Sequence, residues 1–338
     1  MKYGAHALKC WLVAVLFLTS TALLQADPGS LNKPISAKPT KPSITNHMRI
    51  RRSMEEDAPI ALQTSIARYV PASGEGGLVV DLIGVVHIGD AAYYEYLNRH
   101  FEQYDALLYE LVAPPERAVP DPDADSDNPL RWIQKISQSV LDLKHQLNYI
   151  DYKRENFVHA DMSPAEMGKA IEKRGDNGIT LALSIAADVL RQQNLQSRDL
   201  EQNPDKFKSL ENFDPFDTLF DEYGTTKFKR LLAEQFANLN GAGSGLGNTL
   251  DTILIKDRNQ AAMRVFQKQL ANGQKRIGIF YGAAHMPDFE ERLVRDFGMK
   301  RTDIQWVTAW DLRMKRKSPV EGVLTSVLEE LLKQALKD

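Results

Sequence analysis

Gly84-Val85-Val86-His87-Ile88-Gly89-Asp90 and Gly282-Ala283-Ala284-His285-Met286-Pro287-Asp288 are two copies of one pattern, with Gly, His and Asp recurring at matched positions. Each copy follows an apolar run, residues 78–86 and 276–281, of the length and composition of a buried strand. Each then enters a stretch of helical spacing, 91–104 with Tyr94, Leu97 and Phe101, and 287–297. A further strand follows each helix, at 106–112 and 302–310. Strand, helix and strand in succession make the unit of a parallel sheet. The expected fold is therefore α/β. It has a mixed, largely parallel central sheet flanked by helices, built from two strand–GxxH–helix–strand units with a helical insertion between them.

In open α/β sheets ligands bind beyond the carboxyl ends of the strands. A Gly permits a sharp turn there and a His three residues on is presented at the sheet's edge, so His87 and His285 are expected to converge. Asp90 and Asp288 are expected to cap the two helices. Glu110 closes the strand Leu107-Leu108-Tyr109-Glu110-Leu111. A carboxylate among apolar neighbours on a buried strand costs about 3–5 kcal/mol unless it is paired or binds a metal. Taken singly, each of these residues has an ordinary reading as a turn histidine or a solvated strand end. Taken together they point to one shared polar site.

Residues 61–69 and 78–86, around the Gly- and Pro-rich 71–77, suggest a hairpin whose second strand is buried on both faces. Residues 113–129 form an acidic, Pro-rich loop, and 130–250 read as a mainly helical insertion. Within it Ser163-Pro164-Ala165-Glu166 is a helix start with cap, Pro and capping-box Glu. A Gly-rich stretch at 241–247 lacks the phosphate-loop ending and suits a lid or linker. His100 and His145 fall in helical patterns and are expected at the half-buried surface. His159 and Asp161 precede a helix start and are expected to serve local backbone bonding, or an extra wall of the site.

The chain's beginning bears on its compartment. Lys2 and Lys9, the apolar run 11–24 and Ala26 fit a secretory signal peptide over 1–26, with an uncleaved membrane anchor the lesser reading. Export to a periplasmic or extracellular space is expected. Residues 27–60 read as a disordered linker with a solvated Arg-rich end at 47–52, and 61–312 as the α/β domain. Residues 313–338 carry an amphipathic helix that docks on the body or meets a membrane or protein partner. The net charge of −3 argues against nucleic acid as a partner. One cysteine, Cys10, leaves no disulfide framework or thiolate metal site.

The paired Gly-x-x-His motifs, Glu110 after the first, and Asp257-Arg258-Asn259 opening the helix before the second resemble the TraB/PrgY/GumN group that includes the TIKI proteases. The erythromycin esterase and ChaN-like proteins are similar more distantly. The resemblance covers about residues 78–311 and is strong at its two ends, whereas the central Tyr149-to-Tyr152 and His159-to-Asp161 segments depart from it. It implies an active centre of His87, Glu110 and His285, with Arg258 and Asn259 alongside, acting on a peptide or small ester. His87, Glu110 and His285 are the expected ligands of a divalent ion (zinc, manganese or cobalt) that would activate a water. In a metal-free version Glu110 is the base, a His polarises the oxyanion, Arg258 stabilises negative charge and Asn259 orients substrate or a ligand. The rival class is an extracytoplasmic binding protein, for haem or peptide, using the same histidines without turnover.

Overall fold

The computed structural model describes residues 47–113, 141, 143–173, 221–241 and 255–316. The expected signal peptide, the first part of the linker, the acidic loop, the Gly-rich stretch and the C-terminal helix lie outside the described residues. Among these residues no helix is long and apolar enough to cross a membrane.

The strands are β1 (Met48–Arg52), β2 (Pro59–Pro71), β3 (Val79–Val85), β4 (Ile88–Gly89), β5 (Ala106–Tyr109), β6 (Lys144–His145), β7 (Phe157–His159), β8 (Arg276–Gly282) and β9 (Met299–Asp311). The helices are α1 (Ala91–Phe101), α2 (Gln146–Tyr149), α3 (Pro164–Lys173), α4 (Gly224–Gly241), α5 (Asp257–Ala271) and α6 (Met286–Phe297). The chain is α/β, with a mixed central sheet flanked by helices. Its parallel half runs β3-β8-β5-β7, and β2 pairs antiparallel with β1, β3 and β9.

Alternation along the strands makes two cores. Leu62, Ile83, Val85, Leu107, Tyr109 and Phe280 face one side, where Tyr93, Tyr94, Leu97 and Phe101 of α1 and Leu232 of α4 cover them. Ala67, Val80, Leu82, Leu108, Ile277 and Ile279 face the other, under Ala262, Met263 and Phe266 of α5 and Phe289 and Leu293 of α6. The side chains of one strand thus divide between two helical layers, as a period of two requires.

The hairpin of β2 and β3 forms as read, with Ile66 opposite Ile83. Several other expectations are corrected. The stretch read as a solvated linker end is a strand, since β1 pairs with β2. His47 is buried, and its Nδ1 lies 2.7 Å from Ser65 Oγ. Arg49, among the charges that suggested a tether, lies over the Trp306 ring at 4.1 Å. The second unit does not end in a parallel strand. Both edges of β8 are taken by β3 and β5, and Gly298 in the left-handed region (φ 59°) reverses the chain. The 13-residue β9 therefore runs along the 13-residue β2. The stretch read as a mainly helical insertion also holds strands among its described residues. Its β7 pairs with β5, Leu107 to Tyr109 against Phe157 to His159, and widens the sheet.

The capping box is present. Ser163 N donates to Glu166 Oε2 (2.8 Å) and Glu166 N to Ser163 Oγ (3.2 Å). Asp90 stands at the N-cap position of α1 but makes no side-chain cap bond, and Asp288 falls in the first turn of α6 rather than before it. Asp90 instead accepts from the Asp311 N–H (2.6 Å) and from Lys229 (3.2 Å), because the end of β9 packs against it. Asp288 lies inside α6 and accepts from Asn259 and Arg292.

Two positions in the sheet carry measurable loads. A Cβ at Gly278 would stand 2.5 Å from Leu107 Cδ1 and 3.1 Å from the Tyr104 ring, both buried. Gly278→Ala is expected to cost about 1–3 kcal/mol through overpacking, read as a lower urea midpoint at unchanged m. Asp81, buried within the run read as apolar, accepts from Arg68 Nε (2.9 Å), Arg68 Nη2 (2.8 Å) and the Tyr104 hydroxyl (2.7 Å). Arg68 is 40% exposed, so solvent screens part of the pair. Asp81→Ala is expected to cost about 2 kcal/mol in the same assay, less than the ~3–5 kcal/mol of a fully buried pair.

Candidate active site

Topology places the two motifs side by side. Since β8 lies between β3 and β5, residues just beyond these three strands share one end of the sheet. His87 follows β3, Glu110 follows β5, and His285 ends the 3-10 turn Ala283–His285 that follows β8. The side chains converge over Gly282. An ideal Cβ built there would lie 3.3 Å from Glu110 Oε2, 3.6 Å from His87 Nε2 and 3.7 Å from His285 Cδ2. His285 Nε2 lies 3.5 Å from Glu110 Oε1.

The first motif is held along its backbone. Tyr93 and Tyr94 hydroxyls donate to the carbonyls of Gly84 (3.3 Å) and Val86 (2.9 Å). The Gln146 amide donates to the His87 carbonyl (2.9 Å) and the Trp310 indole to that of Ile88 (2.7 Å). Carbonyls that a turn would leave to water are therefore tied to the body of the protein.

Glu110 is paired on both oxygens. Arg258 Nη2 donates to Oε1 (2.6 Å) and the Gly282 N–H to Oε2 (2.7 Å). Burial alone would raise its carboxyl, but Arg258, the two imidazoles and the Gly282 amide outweigh it. They hold the group well below the usual carboxylate range. Arg258 also reaches Asp161 with Nε (3.0 Å) and Nη2 (2.6 Å), so one buried guanidinium bridges two carboxylates. Glu110, Asp161 and Arg258 together carry one negative charge. That charge faces the histidines.

His285 is buried, which pushes its imidazole down to about 4 against the pull of Glu110. Asn259 fixes its tautomer. The Asn259 Nδ2 donates to the His285 carbonyl (3.0 Å) and to Asp288 Oδ2 (2.8 Å), both acceptors only, so its Oδ1 must be the atom 2.6 Å from His285 Nδ1. His285 Nδ1 is then the donor, and its Nε2 lone pair faces Glu110. His87 is exposed, with Nδ1 3.0 Å from Gln146 Oε1.

All five residues expected at the site are thus brought together. Arg258 is matched by two carboxylates and lacks uncompensated charge for an oxyanion. Asn259 orients a histidine. Asp161, expected to serve local backbone bonding or an extra wall of the site, does both: its Oδ1 accepts from the Met162 N–H (2.7 Å) and it is the second partner of Arg258. His159 stays outside, donating from Nε2 to the Leu111 carbonyl (2.6 Å). His100 lies in α1 with Nε2 3.0 Å from the Tyr104 hydroxyl, and burial lowers its imidazole. His145 is not helical; it ends β6 and its Nδ1 accepts from the Leu147 amide (3.3 Å). Gln146 and Tyr152 were not singled out, because a lone Gln carries no pattern that marks it as a histidine's partner. Among the described residues no group of three or more His, Cys, Asp or Glu side chains is set to hold a metal ion.

No protein-family model, curated protein or solved structure matches this chain. The site's chemistry is therefore argued from its own residues.

Proposed function

We propose that the chain is a hydrolase of the TraB/GumN/TIKI type, which attacks a peptide or ester carbonyl with a water held between His87, His285 and Glu110. What carries the reading is the convergence of two imidazoles and one carboxylate over Gly282. His87, the exposed member, takes a proton from the water as its oxygen bonds to the carbonyl carbon. It then returns that proton to the leaving oxygen or nitrogen as the scissile bond breaks. Glu110 is a poor proton acceptor because Arg258 and Gly282 stabilise its anion, so its role is to favour the imidazolium that forms on His87. His285, neutral at pH 7, accepts a hydrogen bond from the water and orients it.

A divalent cation would require Glu110 to release Arg258 or the Gly282 N–H, since both its oxygens are paired and no metal-holding group is formed among the described residues. Two imidazoles and a carboxylate are its usual partners, and the cluster's net negative charge would be compensated. Bound there, such an ion would supply Lewis acidity and lower the water's pKa towards ~7. Export of the chain belongs to the same proposal and rests on residues 1–26.

The test is hydrolysis of ester and peptide panels by the purified chain, with chelator and with zinc, manganese or cobalt. His87→Ala and His285→Ala should each lower turnover by about 100-fold or more while the fold is retained. Turnover unchanged in both variants would overturn the proposal. A Soret band on adding haem, with no hydrolysis in any condition, would favour the binding protein instead.

A further inference from the structure

Both motif histidines are gripped in the same way, by a carboxamide residue that also bonds the histidine's own backbone carbonyl. For His285 this is Asn259, through Oδ1 to the ring and Nδ2 to the carbonyl. For His87 it is Gln146, through Oε1 to the ring (3.0 Å) and its backbone N–H to the carbonyl (2.9 Å). The short antiparallel ladder between β4 and β6, Ile88 against His145, delivers Gln146 to that place. The Gln146 side chain is buried and its Nε2 donates to the Tyr152 hydroxyl (2.8 Å), itself buried. A buried amide needs partners at both ends, and the His87 ring and the Tyr152 hydroxyl supply them.

From this we infer that Gln146 is a positioning residue for the proposed reaction: it holds His87 as the Nδ1–H tautomer and aims the Nε2 lone pair over Gly282. His87 and His285 then present matching lone pairs to the same small space. The alternative tautomer would point an N–H at that space and leave His87 unable to take a proton from a water there. A histidine's second nitrogen is set by the bond its first one makes. The inference rests on the hydrolytic reading for its consequence, but its structural content stands apart from turnover.

The tautomer is read directly by nitrogen-15 NMR on the full chain labelled at histidine, with the His87 signals assigned by their loss in His87→Ala. In the unmutated protein His87 is expected to show a protonated Nδ1 and a bare Nε2 above its titration range. Gln146→Glu keeps an acceptor at the ring and should keep that tautomer. Gln146→Met should give a mixture, with kcat lowered about 10- to 100-fold at little change in KM, and Gln146→Glu should recover most of the loss. His87 carrying its proton on Nε2 in the unmutated chain would overturn the inference without any variant. So would a Gln146→Met protein, folded by circular dichroism, that keeps the tautomer and kcat of the unmutated chain. If no substrate is hydrolysed at all, the hydrolytic reading fails, while the NMR result still decides what Gln146 does.

Discussion

Replacing Arg258 by Met is expected to cost about 3–5 kcal/mol at pH 7, the scale for removing one partner from a buried ionic group. Glu110 and Asp161 share this guanidinium, and their side chains are only 9% and 0% exposed. Without it two buried carboxylates remain with one backbone N–H each, Gly282 for Glu110 and Met162 for Asp161. The pH dependence has a sign that separates this account from a general packing defect. In the unmutated chain burial raises the Glu110 carboxyl, but Arg258, His285 and His87 lower it more, so its folded value lies below the ordinary 4.5. A depressed carboxyl contributes stability above its unfolded pKa and loses it as pH falls through the folded one. In Arg258→Met burial has no cationic opponent of that strength, and the Glu110 value rises above the unfolded one. Its penalty is full above that raised value and fades towards the unfolded pKa. Urea titrations at pH 7 and 5 should show Arg258→Met gaining stability on acidification while the unmutated protein does not. A loss of equal size at both pH values would refute the shared-cation account. The triple replacement Arg258→Met, Glu110→Gln, Asp161→Asn should recover most of the lost stability at pH 7, since it removes the charges together with their partner.

The fold was legible where pattern and topology agree. The repeat around His87 and His285 placed two strand ends and two helix starts. Because β8 threads between β3 and β5, the expected convergence with Glu110 follows from strand order alone. Strand order itself was not legible. Nothing in residues 299–311 says that they pair with β2 rather than extend the parallel half; that depends on which edges are already filled. The Arg-rich 47–52 misled for a related reason. Charges on an edge strand look like those on a tether until the partner strand is known. Asp90 and Asp288 had the right type and place for caps, yet the side chain of Asp90 bonds to the end of β9, and that of Asp288 to Asn259 and to Arg292 one turn on. Gln146 was hidden for the opposite reason: its meaning depends wholly on a two-residue ladder that no periodicity announces.

Gly282→Ala is expected to lower turnover about 100-fold while changing stability by no more than ~1 kcal/mol. The backbone at Gly282 has φ −49° and ψ 139°, a conformation open to alanine, so no strain arises from the main chain. The added methyl would meet Glu110 Oε2 at 3.3 Å, His87 Nε2 at 3.6 Å and His285 Cδ2 at 3.7 Å. Only the first is tight. The stability change should stay within ~1 kcal/mol, because reduced freedom of the unfolded chain offsets that contact. Catalysis has no such compensation. The methyl fills the volume over which the three groups converge, and displacing a reacting molecule by about 1 Å is enough to lose about 100-fold in rate. Gly84→Ala is the matched control. Its Cβ would meet Met286 Cγ at 3.4 Å and Ala283 Cα at 3.5 Å, which are packing atoms of the second motif. Those are ordinary contacts, so that variant should keep both its urea midpoint and its turnover per folded molecule, whereas Gly282→Ala should keep the first and lose the second. Full turnover in Gly282→Ala would mean that nothing reacts in the space between the two imidazoles, and the hydrolytic centre would have to be sought elsewhere in the chain.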